Sequence, residues 1–181
     1  DIMAGADVPD PVVVFDDDHY YMGSVIAEKV RKEGHEVLFV TPLMEVARWT
    51  ENTLEQDRIT EALMSQGIEI LTYKNIAAID DGEIELACVY TDKRERHPCK
   101  SVVLVTSRMP DDDLYQELAA DPDRLEAAGI KLLNAIGDAL SPSTIQAAVH
   151  AGHLFAREFE APIPNEVPYR LERIDLAHQL P

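Results

Sequence analysis

The stretch Val12-Val-Val-Phe-Asp-Asp-Asp-His-Tyr-Tyr-Met-Gly23 is the strongest constraint on what this chain can fold into. Val12 to Phe15 is an apolar run of the kind found in strands buried on both faces. Met22 to Glu33 then places Val25, Ile26, Ala27 and Val30 at helical spacing, and Gly34 ends that helix as a C-cap. A buried strand turning sharply into a helix is the frame of a dinucleotide-binding turn. In such a turn the glycines of G-x-G-x-x-G let the backbone bend, approach a pyrophosphate and close onto the helix. Here only Gly23 remains, and Asp16, Asp17 and Asp18 occupy the place of the phosphate. A like-charge pair ~4 Å apart costs roughly 1 kcal/mol in water and about 4 at an effective dielectric of 20. Several such pairs would cancel the attraction of a helix N-terminus for an anion. No acid near the end of the second strand, Glu36 to Thr41, is placed to hold a ribose hydroxyl. The turn is therefore expected to bind no NAD(P)H.

The segments that follow extend the same grammar. Val37 to Val40 is an apolar strand, Thr53-Leu-Glu-Gln56 has the form of a capping box, Leu54 to Gln66 continues as a helix closed by Gly67, and Ile68 to Leu71 makes a third strand. This β-α-β-α-β order implies a parallel sheet with right-handed crossovers. Asn75 to Ile79 and Glu83 to Tyr90 read as a hairpin about Asp81-Gly82, a pair suited to a type I′ turn. Asp92 to His97 reads as a charged turn, and Ser101 to Thr106 returns as a buried strand. Next come a short helix over Asp112 to Ala120 with Asp111-Asp-Asp113 at its start, a break at Asp121-Pro122-Asp123, and an apolar strand over Gly129 to Ile136. Ser143 to Glu160 is the longest helix, and Pro162, Pro164 and Pro168 mark an irregular tail. The fold class is thus α/β: a Rossmann-like three-layer parallel sheet with an inserted antiparallel β-meander.

Composition narrows the function classes. The 181 residues are 46% hydrophobic, enough for one domain to bury a substantial core. A net charge of −18 excludes a nucleic-acid or acidic-membrane surface as partner, because such binding rests on cations that neutralise phosphates. No apolar run approaches a membrane span and no signal peptide is evident at the N-terminus, so a cytoplasmic location is expected. The chain opens Asp1-Ile-Met-Ala-Gly without an initiator methionine, which points to a piece of a longer polypeptide.

Few residues invite a chemical role. Cys88 and Cys99 cannot make a zinc site alone and are expected to be reduced and free of metal. His150 and His153, and the run Asp16 to His19, lack a third ligand at a recognised spacing, so no metal site is expected. No Ser-His-Asp, Cys-His or paired-carboxylate arrangement is legible, and no catalytic residue is assigned. Gly137-Asp138, before the last helix, allows two readings. Asp138 can accept from a ribose or ribityl hydroxyl while the helix amides near Ser143 face a phosphate, or Gly137 makes a turn whose backbone donors Asp138 caps.

Two stretches together carry a resemblance: Val12 to Glu28, and Asn134-Ala-Ile-Gly-Asp-Ala139 with Ala147-Ala-Val-His-Ala-Gly-His153 and Ala156-Arg-Glu158. They resemble the C-terminal region of the trimethylamine and dimethylamine dehydrogenase family, iron-sulfur flavoproteins related to old yellow enzyme and 2,4-dienoyl-CoA reductase. Leu104-Val-Thr-Ser-Arg-Met-Pro110 is similar to the family's turn after that strand, with Ser107 where many members have glycine. The resemblance implies residues 1–110 as a degenerate NAD(P)-binding-like domain, 111–160 as the return into an FAD/ADP-binding-like domain, and 161–181 as an irregular tail. It implies an amine-oxidising parent whose FMN and 4Fe-4S cluster belong to an N-terminal barrel, with that barrel and an electron-transfer flavoprotein as partners. The fragment itself is expected to hold no cofactor and to be inactive, with ADP or FAD affinity confined to a half-site at Gly137 and Asp138. An NAD(P)H-dependent enoate reductase module and a non-catalytic scaffold or docking domain are the alternatives.

Overall fold

The computed structural model describes residues 2–159, which fall into two compact units divided between Arg108 and Met109. In the first unit, β1 (Val12–Asp16), β2 (Val37–Val40), β3 (Glu69–Leu71) and β7 (Ser101–Val105) form a parallel sheet in the order β3-β2-β1-β7. The crossovers are α1 (Tyr21–Lys32) and α2 (Gln56–Ser65). Between β3 and β7 runs the meander β4 (Lys74–Asp80), β5 (Glu83–Cys88) and β6 (Arg94–Pro98), a separate antiparallel sheet.

The side-chain alternation of β1 explains the layering. Val12 and Val14 pack with Ile26, Ala27 and Val30 of α1 and Leu63 of α2, whereas Val13 and Phe15 pack with Ile84 and Leu86 of β5. Successive strand residues point to opposite faces, so an unbroken apolar run is what a sheet covered on both sides requires. All five residues of β1 are buried. Helices, parallel sheet and meander are therefore three layers around the central strand.

Four expectations need correction. The capping box at Thr53 does not form: Arg48–Thr53 is a 3-10 helix, Leu54 sits at φ +60, and α2 starts at Gln56. The Thr53 hydroxyl instead bonds the Thr50 carbonyl. The Asp81-Gly82 turn has positive φ only at Gly82 (+84), so it is not type I′, which needs it at both positions. The charged turn at Asp92 to His97 is largely strand β6, because Arg94 and Arg96 find Glu85 across the ladder. Finally, Gly129 to Ile136 forms no strand; its apolar residues have no neighbouring strand to pair with among the described residues.

The second unit contains α3 (Asp113–Ala119), α4 (Pro122–Ala127), a 3-10 turn at Gly137–Ala139 and α5 (Ile145–Glu158). Asp121 caps α4 by accepting from the Arg124 amide at 3.0 Å, so the Asp-Pro-Asp break also begins a helix, with proline at its first turn. Asp112 makes no such cap for α3; its carboxylate accepts from the Gln116 side chain instead. None of the described residues of this unit is buried, although Ile145, Leu140 and Leu114 are 85%, 65% and 70% exposed. Among the described residues no helix is long and apolar enough to cross a membrane. The proline-marked tail lies outside the described residues.

Candidate functional site

In a parallel α/β sheet, ligands bind beyond the carboxyl ends of the strands. In the first unit that place is built by the loops after β1, β2 and β7. Asp16, the last residue of β1, is fully buried, and its Oδ1 accepts the amides of Asp18 and His19, each at 3.2 Å. Its Oδ2 is buried without a partner. Burial disfavours the charged form, so the Asp16 pKa is raised to about 6 against the opposing pull of those amides and of His19.

Gly23 shows why a glycine survives in the first turn of α1. A Cβ there would lie 2.6 Å from Asp16 Cγ, so the carboxyl rests against the helix backbone and no larger residue fits. The loop beyond it is pinned on three sides. Arg108, after β7, donates to both carboxylate oxygens of Asp18 at 3.0 and 2.8 Å. His19, at φ +60, accepts the Trp49 amide at its carbonyl, and its Nε2 lies 3.1 Å from Asp17. Tyr21 bonds Glu55, which raises the tyrosine pKa and lowers that of the carboxylate.

The three aspartates thus differ from one another. Asp16 is turned inward, Asp18 is compensated by Arg108, and Asp17 faces His19. Arg108 offsets the charge of Asp18, and the space filled by the Asp16 carboxyl is a second obstacle to a phosphate that the sequence did not reveal. Arg108 carried no signal in the sequence, because its partner is 90 residues away.

Gly137 and Asp138 lie in the second unit. Gly137 has φ +58, and its carbonyl accepts the amides of Leu140 and Ser141. Asp138 is exposed, and its Oδ1 accepts the Ser143 amide at 3.3 Å. Thr144 caps α5 by accepting from Ala147 at 3.4 Å. One carboxylate oxygen therefore serves the local backbone.

His150 and His153 are exposed on α5. Cys88 and Cys99 are free thiols, the first partly exposed with its pKa lowered by the Thr91 hydroxyl, the second buried with its pKa raised by that burial. Among the described residues no three Cys, His, Asp or Glu side chains are grouped to hold a metal ion. A 4Fe-4S cluster, which needs four thiolates, does not fit this chain. A hollow of about 620 Å³ opens beside β3, lined by Met44, Asp57, Met64 and Ile70 among others, and its lining contains no histidine, cysteine or cation.

Residues 1–103, spanning the meander and nearly all of the parallel sheet, match the family described as the OYE-like second alpha/beta domain. The chain belongs to that family. It is 32% identical to dimethylamine dehydrogenase of Hyphomicrobium sp. (strain x), a match covering 90% of this chain and 24% of that protein. The structure of histamine dehydrogenase from Rhizobium sp. 4-9 superposes with a TM-score of 0.80 at 45% identity, covering 88% of this chain and 24% of that one. 6-Hydroxypseudooxynicotine amine oxidase from Pseudomonas geniculata N1 gives 0.71 at 31% identity, over 79% and 21% of the two chains. The resemblance carried by Val12 to Glu28 and Asn134 to Glu158 is borne out. This OYE-like second alpha/beta domain chain spans about a quarter of the length of these relatives.

Proposed function

We propose that this chain is the nucleotide-fold C-terminal portion of an amine-oxidising flavoprotein and that the redox step takes place outside residues 1–181. The observation that carries the reading is the match to histamine dehydrogenase, at 45% identity over 88% of this chain. A second line of support is the filled turn at the sheet's carboxyl end, where the Asp16 carboxyl sits against Gly23 in the place a pyrophosphate would need. The FMN and 4Fe-4S cluster of the parent belong, on this reading, to an N-terminal barrel that packs against this chain, and an electron-transfer flavoprotein is the acceptor. The first unit is the degenerate NAD(P)-binding-like domain of a Rossmann-like pair, and the second is the returning part of an FAD/ADP-binding-like domain. Gly137 and Asp138 are its contribution to an ADP or FAD half-site: Asp138 keeps one oxygen for a hydroxyl while the other holds the Ser143 amide.

The exposed apolar residues of the second unit favour a packing role as well. Among the described residues of this unit none is buried, and Leu114, Leu140 and Ile145 present apolar surface that another segment can cover. An NAD(P)H-dependent enoate reductase module is disfavoured by the filled turn after β1.

The reading is tested by comparing dye reduction by the full-length protein and by this chain, with dimethylamine, trimethylamine and histamine as donors. The full-length protein should reduce the dye with at least one amine and the chain with none. NADPH-driven reduction of an enoate by the full-length protein, with no amine activity, would favour the reductase reading instead.

A further inference from the structure

We propose that the turn after β1 is an anion site occupied by the chain itself, with the Asp16 carboxyl as its internal ligand and the Asp18–Arg108 pair closing it from outside. The inference stands on the geometry of the first unit and holds whatever the parent oxidises.

The amides that a strand-turn-helix offers to a phosphate are those of the turn and of the first helical residues. Here the turn amides of Asp18 and His19 are taken by one oxygen of Asp16. The helix itself brings no anion of its own: α1 has no acidic residue in its first turn, and its N-cap, Tyr20, makes no side-chain bond to it. Asp16 is the carboxyl group at that end, fully buried and seated against Gly23, whose missing side chain is what admits it. Its second oxygen is buried and unpartnered, so the seat is tight enough to leave one lone pair unsatisfied. An ordinary surface cap would have turned that oxygen to water.

The outer closure is independent of this seat. Arg108 approaches from the end of β7 and engages both oxygens of Asp18, whose side chain is only 12% exposed. A guanidinium paired bidentately with a carboxylate has the geometry with which it would grip a phosphate. The charged groups that act on Asp16 are His19 and Asp18; beyond them Asp17 lies beside His19, Arg108 of the β7 side pairs with Asp18, and Tyr21 of α1 bonds Glu55. The chain has kept the amides and the cation of an oxyanion site and filled both with its own carboxylates. The class of ligand it excludes is a phosphate-type oxyanion.

The test uses the whole chain and inorganic pyrophosphate as the probe, followed by calorimetry at low salt. The native chain should bind it at most weakly. Asp16→Gly combined with Asp18→Ala should bind pyrophosphate at least tenfold more tightly than the native chain, and added salt should weaken that binding. A folded double variant that binds no better than the native chain would overturn the proposal, as would a native chain that binds equally well. A second measurement needs no cavity-forming variant. In the native chain the amide resonances of Asp18 and His19 should move together with pH, at one midpoint near 6, and Asp16→Asn should abolish that movement. Independent titration of the two amides, or movement that persists in Asp16→Asn, would also overturn it.

Discussion

Replacing Asp16 by asparagine should make the first unit relatively more stable as pH rises, by an amount that follows from the burial of the carboxyl. The Asp16 pKa is raised from 3.8 to about 6. A shift of ~2.2 units at ~1.36 kcal/mol per unit corresponds to about 3 kcal/mol. The sign follows from which form the fold prefers. Because the folded pKa lies above the unfolded one, the folded state binds the proton more tightly, so the stabilisation is complete below the unfolded pKa and is lost as pH rises through about 6. Carboxylates such as Glu28, lowered by Lys32, and Glu95, lowered by Lys74, work in the opposite direction and are common to both proteins. The informative quantity is therefore the difference between variant and native chain. Asparagine keeps an oxygen for the amides of Asp18 and His19 but places an N–H donor where Oδ2 has no partner, a cost of about 1–3 kcal/mol that does not depend on pH. Urea unfolding of both proteins between about pH 4 and about pH 7.5 should show the difference moving by about 2–3 kcal/mol in favour of the variant. Parallel pH profiles would refute the argument, because they would mean that Asp16 ionises as easily in the fold as in the unfolded chain.

Gly23→Ala should destabilise the first unit, since its Cβ would meet Asp16 Cγ at 2.6 Å; adding Asp16→Ala should recover part of the loss, with a coupling of about 0.5–3 kcal/mol in a double-mutant cycle. Leu63, fully buried between α2 and the sheet, should cost about 2–5 kcal/mol when cut to alanine, read as a lower urea midpoint. A thiol reagent should label Cys88 in the folded protein and Cys99 only on unfolding, because the first is partly exposed with a lowered pKa and the second is buried. Calorimetry with ADP should show weak binding that Asp138→Ala removes; unchanged binding would place the nucleotide elsewhere.

The parts of the fold that were legible in the sequence are those where one local signal suffices. Val12 to Phe15 had to be a strand covered on both sides, and the periodicity of Val25 to Val30 had to be a helix facing it. Arg94 and Arg96 misled because charge usually marks solvated turns, whereas here it decorates the outer face of a ladder opposite Glu85. Gly129 to Ile136 misled for the converse reason, since apolar composition signals burial but a strand exists only where a neighbour pairs with it. At the candidate site, the loss of glycines was visible and its physical meaning was not. Asp18 turns outward to Arg108 across 90 residues, a contact no spacing within the turn encodes. Asp16 turns inward onto the nearby amides of Asp18 and His19 against Gly23, a choice the run of three aspartates does not by itself distinguish.

The central claim, that this chain is a redox-silent part of a larger amine-oxidising flavoprotein, is tested most directly by the visible spectrum of the purified chain together with dye reduction in the presence of di- or trimethylamine. A colourless protein without flavin or iron-sulfur absorbance, and no reduction above the buffer rate, is the expected result. A yellow preparation with stoichiometric flavin, or amine-dependent reduction of the dye, would contradict it.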